Sequence, residues 1–469
     1  MEMINEKTVE EAFSRASDLK KRQILSKNAV HTVYYLDGFV DQALLSRFLI
    51  APLGKIDNVP AAVRQGEIAV CQAEEATKEQ VIDGILRGKA ALIENGCAWL
   101  FDVRKTEKRS VEQPGEESAV KASKDSFVEE LKTNLTLLRK KIVSPHLAVE
   151  MSELGRQSHT AVALVYMENI ANDGILREVR ERLKTIDVDG VITSGVIQQA
   201  FAGSKRSLFP QVLVTERPDK IAQSLLNGRF AVFADGLPLG FLVPATLAEF
   251  MNTPEDYAQN YVFASTVRLL RYFLLGLEVL LPGTYVALTT FHFEMLPSKL
   301  ALSIAEAKAG VPFPVLFEVL TMLALFEVLV EAGLHMPQSS GQAVSIVGAL
   351  VVGEAAINAD LVSPAALIVV AVSAVSSFAM PNQEFSNALR LWRILLTLAG
   401  GALGLFGVTA GALAMLLQLA GMESLQVPYL APLAGVKKIR LKDTLVVVPD
   451  RDNVFRPEEL KVKNRRRAK

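Results

Sequence analysis

The sequence has 469 residues, of which 50% are hydrophobic and 22% charged, and its mean hydropathy of +0.27 is high for a soluble protein. The formal net charge of only −1 excludes the global basic field of a nucleic-acid-binding protein, so no nucleic-acid partner is expected. The two cysteines, Cys71 and Cys97, are too few for a disulfide framework and lack the CxxC spacing of metal or redox sites.

The charge is unevenly distributed along the chain. Residues 1–271 carry most of it, whereas 272–421 contain several long runs with almost none. This division predicts a soluble α/β N-terminal domain, made of two similar subdomains, followed by an all-α polytopic transmembrane domain. The N-terminus has no apolar stretch of the signal-peptide type, so the N-terminal domain is expected to be cytoplasmic.

The first 27 residues are predicted to be a polar leader with weak helical character and no recognisable function. The first α/β subdomain is expected at 28–110. It opens with an apolar strand, a turn at Asp37 and Gly38, and the helical pattern QALLSRFLIAPL. This order predicts a strand, turn and helix unit.

A pattern near the end of this subdomain occurs twice. In ILRGKAALIENGCAWL (85–100), two apolar runs flank Asn-Gly, the dipeptide best suited to a type I′ hairpin turn. The segment LLNGRFAVFADGLPLGFL (225–242) repeats the pattern 140 residues later, with Asp-Gly in place of Asn-Gly. The repeat predicts a second, similar α/β subdomain at 158–255.

Residues 111–157 are expected to form a polar linker and a helix that joins or clamps the two subdomains. One face of this helix carries apolar residues at helical spacing, which are Phe127, Leu131, Leu135, Leu138 and Ile142. Farther on, TERPD (215–219) has two interpretations. It is either a turn that caps the following helix or a subunit contact through Arg217.

No catalytic, cofactor-binding or metal site is expected in this chain. The sequence has no GxGxxG or P-loop, no HExxH and no GxSxG motif. Its histidines are far apart and without ligand spacing, at His31, His146, His159, His292 and His335. The protein is therefore predicted not to be an enzyme.

The multi-helix membrane domain is predicted at 256–432. The candidate membrane-crossing segments are 272–291, 311–332, 343–357, 361–380 and 394–420. Arg268 and Arg271 place the start of the first segment on the cytoplasmic side, and 433–469 is expected to be a basic cytoplasmic tail. Two cytoplasmic ends require an even number of crossings, so one candidate segment would be interfacial or re-entrant.

Carboxylates within this domain are candidate functional groups, because a carboxylate inside a bilayer is costly. They are Glu278, Glu318, Glu327, Glu331 and Glu354. Glu327 and Glu331 lie one turn apart. For these two, the alternative is an interfacial helix whose polar side meets water or lipid headgroups.

Small residues form stripes on two of the predicted helices. The first stripe consists of Ser345, Gly348, Ala349, Val352, Gly353 and Ala356. The second consists of Gly400, Gly404, Gly407 and Gly411. Close packing between helices in lipid explains both stripes. The first stripe has a second interpretation, the wall of a narrow pore.

Six segments carry a family resemblance in a fixed order along the chain. They are FVEELKTNLTLLRKKI, TERPD, GRFAVFADGLP, TFHFEMLPSKLALSIAEAKAGVPFP, GQAVSIVGALVVGEAAINADLVSP and VPYLAPLA. Together they resemble the GerA family of spore germinant receptors, A subunit, and the resemblance covers the chain from Val30 to about Pro432.

The resemblance implies a multi-pass protein of the endospore inner membrane that triggers germination in response to a nutrient. It implies assembly with a transporter-like B subunit, which senses the nutrient, and with a lipoprotein C subunit. It further implies a homo-oligomer, formed through the membrane domain, that acts as a ligand-gated ion channel. No cofactor is implied.

The chain departs from the family pattern at two places. Leu323 and Val330 stand where the family usually has Glu and Arg, so a gating role for that charge pair does not carry over. Residues 121–124 replace the usual Arg-Gly-Pro segment. Two alternatives stay open. One is a relative of stage V sporulation protein AF, linked to the dipicolinate channel, and the other is a secondary transporter with a soluble regulatory domain.

Overall fold

The structure is a computed structural model of the chain. It describes residues 6–26, 29–57, 59, 62–63, 68, 74–94, 96–105, 117, 121–203, 207–334, 353–434, 442–449 and 451–467. An α/β half comes first, and a helical half follows it.

The first subdomain is a five-stranded antiparallel sheet with helices on both faces. Its elements are α1 (Glu6–Ala12), β1 (Leu19–Leu25), β2 (Val30–Leu36), α2 (Gln42–Leu53), β3 (Glu74–Glu75), α3 (Lys78–Leu86), β4 (Ala90–Glu94) and β5 (Cys97–Phe101). The strand order is β1-β2-β4-β5-β3. Helices α1 and α3 bury apolar side chains against one face of the sheet, and α2 covers the other.

The second subdomain repeats this architecture. Its elements are α4 (Leu131–Lys141), β6 (Leu147–Leu154), β7 (Thr160–Met167), α5 (Asp173–Lys184), α6 (Ser194–Phe201), β8 (Leu213–Thr215), α7 (Pro218–Leu226), β9 (Phe230–Ala234) and β10 (Gly240–Val243). The strand order, β6-β7-β9-β10-β8, matches the first sheet strand for strand. The prediction of two similar α/β subdomains is therefore confirmed.

Strand β1 lies in the segment predicted to be a separate polar leader. It pairs with β2 along its whole length, from Leu19 opposite Leu36 to Leu25 opposite Val30. It is an edge strand, and most of its side chains are exposed. Charged residues on an edge strand prevent further strand pairing, which explains why this part of the sheet has a polar sequence.

Helix α4 contacts both subdomains. The Arg139 guanidinium forms a buried ion pair with Asp18 of the first subdomain, and its Nη2 donates to the Leu147 carbonyl oxygen of the second at 3.2 Å. The five apolar residues that the sequence placed on one face, from Phe127 to Ile142, are all buried. These contacts place α4 between the two subdomains.

Arg217 of the TERPD segment is buried rather than presented to another subunit. Its Nη2 donates to Asp219 at 2.7 Å and to the Ser123 carbonyl oxygen at 3.0 Å, and its Nη1 donates to the Glu117 carbonyl oxygen at 2.8 Å. The side chain therefore anchors the linker to the second subdomain. The interpretation of Arg217 as a subunit contact is corrected accordingly.

The helical half begins with two short helices and continues with longer ones. They are α8 (Leu247–Met251), α9 (Pro254–Ala258), α10 (Tyr261–Phe291), α11 (Ser298–Lys308), α12 (Val315–Leu334), α13 (Pro364–Phe378) and α14 (Gln383–Gly421). The short strands β11 (Glu423–Ser424) and β12 (Val427–Pro428) follow. Within the described part of the chain, α10 and α14 are the two helices long and apolar enough to cross a membrane.

Helix α14 reverses direction at Gly404. This residue has φ 63° and ψ −148°, a backbone conformation that residues other than glycine rarely adopt. Gly411, after the turn, lies against Leu396 before it, and Ser207 and Phe209 of the second subdomain contact Met422 and Phe385 near the two ends of the helix. The segment 394–420, predicted to be one continuous helix, thus contains a helical hairpin.

The residues after the helices fold back onto the second subdomain. Leu460 and Val462 are buried in its core, and the Lys463 backbone N–H donates to the Ile170 carbonyl oxygen at 2.9 Å. Phe455 and Arg466 face each other across an isolated antiparallel bridge. We call residues 442–467 the C-terminal segment. It lies within the stretch predicted to be a basic tail, and much of it is packed.

Candidate functional site

Four long helices bring charged side chains together in the interior of the helical half. Glu278 comes from α10, Glu327 from α12, Ser373 from α13, and Arg390 and Arg393 from α14. Arg393 and Glu278 are fully buried. We call these five residues the charge cluster.

Arg393 is the centre of the cluster. Its Nη2 donates to Glu327 Oε1 at 2.7 Å, and its Nη1 donates to Ser373 Oγ at 3.3 Å. Ser373 Oγ in turn donates to the backbone carbonyl oxygen of Glu278 at 2.8 Å. Arg390 Nη1 lies 3.6 Å from Glu327 Oε2. Arg393 of α14 therefore bonds directly to α12 and α13, and Ser373 extends the connection to α10.

The cluster balances its formal charges but does not satisfy all of its hydrogen-bonding groups. Neither carboxyl oxygen of Glu278 has a hydrogen-bond partner among the described residues, and the same is true of Nε in Arg390 and in Arg393. Unsatisfied buried polar groups are costly, and their presence in a native fold calls for an explanation. The cluster offers Arg393 two carboxylates, of which only Glu327 accepts its hydrogen bond here.

The other predicted carboxylates lie elsewhere. Glu318 is buried and accepts hydrogen bonds from the backbone N–H and the hydroxyl of Ser363, at 3.1 and 2.8 Å, just before α13 begins. Glu331 and Glu354 are exposed. The structure thus brings together Glu278 and Glu327 out of the predicted set, and it gives Glu318 a role in fixing the start of a helix.

The predicted packing glycines lie at close contacts between helices. A Cβ on Gly400 would lie 2.5 Å from the Gly283 carbonyl oxygen of α10, so the two helices meet backbone to backbone. Gly407 and Gly411 face Ala399 and Leu396 in the first half of α14. Gly404 forms the hairpin turn itself.

Most of the first small-residue stripe, namely Ser345, Gly348, Ala349 and Val352, lies outside the described residues. Gly353 and Ala356 are described, and both face apolar side chains of this chain. A Cβ on Gly353 would meet Leu367 of α13 at 3.4 Å, and Ala356 packs against the apolar group that contains Leu323. Leu323 is buried among apolar neighbours, which suits the replacement of a charge at that position.

A second polar group ties the first membrane-capable helix to the short helix α9 and to the C-terminal segment. We call Asp256, Tyr257, Arg268, Arg271 and Asp443 the junction network. Asp256 Oδ2 lies 3.1 Å from Arg268 Nη2 and 3.2 Å from Arg271 Nη1. Arg268 Nη1 also donates to the Asp443 backbone oxygen at 3.0 Å, and the Tyr257 hydroxyl donates to Asp443 Oδ1 at 3.0 Å.

The two carboxylates of the junction network have different electrostatic environments. Burial works against the charged form of Asp256, but the hydrogen bond and charge of Arg271, together with the charge of Arg268, lower its pKa. Burial raises the pKa of Asp443 despite the hydrogen bond from Tyr257. Asp256 is therefore the carboxylate that pairs with both arginines.

Arg268 and Arg271 were predicted only as markers of topology, and neither they nor Arg390 and Arg393 were predicted to have buried partners. Arg268, Arg271, Arg390 and Arg393 each lie near the end of an apolar run, where the positive-inside rule applies. The two arginines of each pair are three residues apart, which places both side chains on one helix face. The carboxylates predicted inside the same domain were the available signal that these arginines have buried acidic partners.

Within the residues that the structure describes, no group of three or more His, Cys, Asp or Glu side chains is placed to hold a metal ion. The polar groups of the helical half are instead paired carboxylates and guanidinium groups. Such an arrangement links helices by charge-assisted hydrogen bonds, and it can change partners without covalent chemistry.

Replacing Gly404 by valine is expected to disrupt the helical hairpin. The backbone conformation costs a side chain about 1–3 kcal/mol, and a Cβ would lie 2.7 Å from Cε1 of His292. We expect a lower unfolding temperature for the detergent-solubilised chain and less protein in the membrane fraction. Gly276→Val is the matched control, because a Cβ there meets nothing within 4 Å. Equal losses for the two variants would contradict this role of Gly404.

A duplicated α/β half, joined to a helical half with two membrane-capable helices, defines a membrane-associated protein with an α/β domain. The family model described as Bacillus/Clostridium GerA spore germination protein matches residues 7–459. The chain therefore belongs to the GerA family of spore germination proteins.

Two relatives that match nearly the whole chain agree with this assignment. Spore germination protein KA of Bacillus subtilis (strain 168) is 35% identical over 456 residues, which cover 94% of this chain and 83% of that protein. Spore germination protein GerLA of Bacillus cereus is 34% identical over 455 residues, covering 93% and 88% respectively. The N-terminal domain of the A subunit of the Bacillus megaterium germinant receptor GerK3 is 28% identical. The match covers 51% of this chain and 93% of the GerK3 domain, with a TM-score of 0.40.

Proposed function

We propose that this chain is the A subunit of a nutrient germinant receptor in the inner membrane of the endospore. The family match over residues 7–459 carries this proposal. Relatives that are named as spore germination proteins match at 34–35% identity over nearly the whole chain. In this role the chain assembles with a transporter-like B subunit and a lipoprotein C subunit.

The proposed activity is that of a ligand-gated ion channel component, formed by several copies of the chain through their membrane helices. Support comes from the kind of polar groups in the helical half, which are buried ion pairs between helices. The junction network connects α9, the short helix that follows the α/β half, to α10. A change in the α/β half could reach the helices through it.

Deleting this chain in its host, and restoring it, tests the receptor role. Spores without the chain should lose the response to one class of nutrient, measured as loss of refractility and release of monovalent cations. Restoring the full chain with its B and C subunits should restore both readouts. A deletion strain that responds normally to every nutrient to which the parent responds would refute the proposal.

Val352→Ala tests the pore interpretation of the first small-residue stripe. A smaller side chain on a pore wall should widen the pore and weaken its closed state, so we expect leaky or nutrient-independent germination at a normal protein level. If the stripe serves packing alone, Val352→Ala should be nearly silent, and Gly353→Leu should lower the amount of assembled protein. Val351→Ala is the control, because it leaves the predicted stripe intact. Spores with Val352→Ala that stay dormant and respond normally would remove the pore assignment.

A further inference from the structure

The later part of the C-terminal segment, residues 454–467, lies at the end of the second sheet that faces the helices. Strand β10 ends at Val243, and from there the chain continues to α8, α9 and α10. Strand β9 begins at this same end, because Phe230 pairs with Val243. Arg456 Nε donates to the carbonyl oxygen of Leu226, just before β9, at 2.8 Å. The segment is thus held at the end of the sheet from which the chain leaves for the helices.

The helices occupy the neighbouring part of this end. Phe250 stacks on Phe385 at the start of α14, with ring centroids 5.8 Å apart, and the Ala245 N–H donates to Ser424 Oγ at 3.3 Å. The earlier part of the C-terminal segment touches α10 directly, since the Val447 N–H donates to Ser265 Oγ at 3.0 Å. The C-terminal segment therefore lies beside the helices, at the level where α10 begins.

The side chains that the C-terminal segment leaves exposed are mostly basic, although the acidic Asp452 and Glu458 are exposed as well. Between 451 and 467 there are seven basic residues and three acidic ones. Lys461, Lys463, Arg465 and Arg466 are exposed. Phe455, which faces Arg466 across the antiparallel bridge, is 57% exposed. Residues directly opposite each other in an antiparallel pair place their side chains on the same face, so an exposed ring lies beside an exposed guanidinium.

Exposed apolar groups also occur where α10 begins. Phe263 is 59% exposed and Val446 is 41% exposed. Aromatic residues next to arginine and lysine are typical of the boundary between a bilayer and water. Lys463 of this surface has a protein partner, since its Nζ lies 2.7 Å from Asp173, and the two side chains are 40% and 65% exposed.

We propose that Phe455, Lys461, Lys463, Arg465 and Arg466 form a surface that binds the headgroups of anionic lipids. A bilayer around the helices presents its headgroups near the start of α10, which the earlier part of the C-terminal segment touches. A negative membrane surface attracts basic residues within a Debye length. Phe455 enters the interface beside Arg466. The second subdomain is thereby held against the membrane at a place other than the junction network. The inference rests on the proposed membrane location.

Trypsin cleavage of the full chain in vesicles tests the lipid contact without a label. The chain is reconstituted into vesicles of phosphatidylcholine alone or of phosphatidylcholine with phosphatidylglycerol, and cleavage after Lys461 and Lys463 is followed by mass spectrometry. Cleavage after Lys55, an exposed residue of the first subdomain, is the internal reference. Each basic residue near an anionic surface changes occupancy by about fivefold. We expect cleavage in the anionic vesicles to slow at least about fivefold, and about 1 M salt, where the Debye length is about 3 Å, to remove the protection.

The double variant Arg465→Glu and Arg466→Glu should restore fast cleavage in anionic vesicles, and Phe455→Ser should weaken the protection. The control Arg177→Glu with Lys184→Glu makes the same charge change on exposed positions of α5 and should leave the protection intact. Equal cleavage in the two lipids, or protection that survives the 465 and 466 changes, would overturn the inference. Protection seen only with another subunit present would assign the surface to a protein and likewise overturn it.

Alkaline extraction of the same vesicles separates this inference from the membrane location. A chain that alkali removes would refute both. A chain that stays inserted and shows equal cleavage in the two lipids would refute the lipid contact alone.

Discussion

Replacing Asp256 by asparagine is expected to destabilise the connection between α9 and α10 by about 3–5 kcal/mol. The carboxylate lies within 3.2 Å of two guanidinium groups, and Arg268 is fully buried. Without Asp256 these two charges stay buried with no acidic partner of comparable proximity, which is the costly way to break a buried ion pair. The measurements are the unfolding temperature of the full chain in detergent and the rate of proteolysis between residues 251 and 261.

Asp187→Asn is the matched control for this prediction. Asp187 pairs with Arg156 at 2.5 Å, but both side chains are more than 60% exposed. An exposed pair contributes at most about 1 kcal/mol. Similar losses of stability in the two variants would show that burial does not determine how strongly the Asp256 contacts stabilise the fold.

The pH dependence of the junction follows from the lowered pKa of Asp256. An acid whose pKa is lower in the folded state stabilises the fold above its unfolded value, about 4 for aspartate. That contribution is lost as the pH falls through the folded pKa. We therefore expect the contribution of Asp256 to be constant from neutral pH down to about pH 5 and to fall at lower pH. The Asp256→Asn variant should lack this acid-dependent component.

Replacing Arg393 by methionine is expected to cost about 3–5 kcal/mol, because it leaves Glu278 and Glu327 buried or half-buried with only Arg390 nearby. The loss should appear as a lower unfolding temperature and as altered gating in spores that still contain the chain. Arg393 holds α12 and α13 through Glu327 and Ser373, so its removal should loosen both helices against α14.

The double variant Arg393→Met with Glu327→Met distinguishes a paired charge from simple side-chain volume. Removing both partners avoids a stranded charge, so a large part of the lost stability should return. If the loss of stability in the double variant equals the sum of the losses in the two single variants, the pair has no coupling energy. The charge cluster would then not act as a unit.

The duplication in the α/β half could be predicted because each copy contains the same local pattern. Two apolar runs around an Asn-Gly or Asp-Gly turn identify a hairpin without any long-range information. The first edge strand could not be predicted in this way. Residues 19–25 are polar because an edge must not pair further, and polarity alone is equally typical of an unstructured leader.

The pairing of charges in the helical half depends on contacts that the sequence does not encode locally. Arg393 and Glu327 are 66 residues apart, and Arg268 contacts Asp443 at a separation of 175 residues. The carboxylates were recognised as unusual, but Arg390 and Arg393 were not identified as their partners. Tertiary packing decided which arginines are buried.

The turn in α14 illustrates a different limit. Gly400, Gly404, Gly407 and Gly411 fit one face of a continuous helix, and that pattern predicted a straight packing surface. A single residue with positive φ reverses the chain instead. The helix before Gly404 spans residues 383–403, and the helix after it spans 405–421. At about 1.5 Å per residue each extends for about 25–30 Å, comparable to the thickness of a bilayer core. Helical periodicity carries no information about one backbone angle.

The burial of Leu460 and Val462 in the second subdomain has a consequence for biosynthesis. A methyl group on Gly228 would collide with Val462, so this part of the subdomain is shaped around a residue that the ribosome adds more than 230 positions later. The subdomain is complete only when every helix of the chain has been made and the C-terminal segment has returned to it. Synthesis of the helices and completion of the domain that precedes them are thereby coupled in time, and a chain that stops early leaves an apolar notch exposed to the quality-control machinery of the cell.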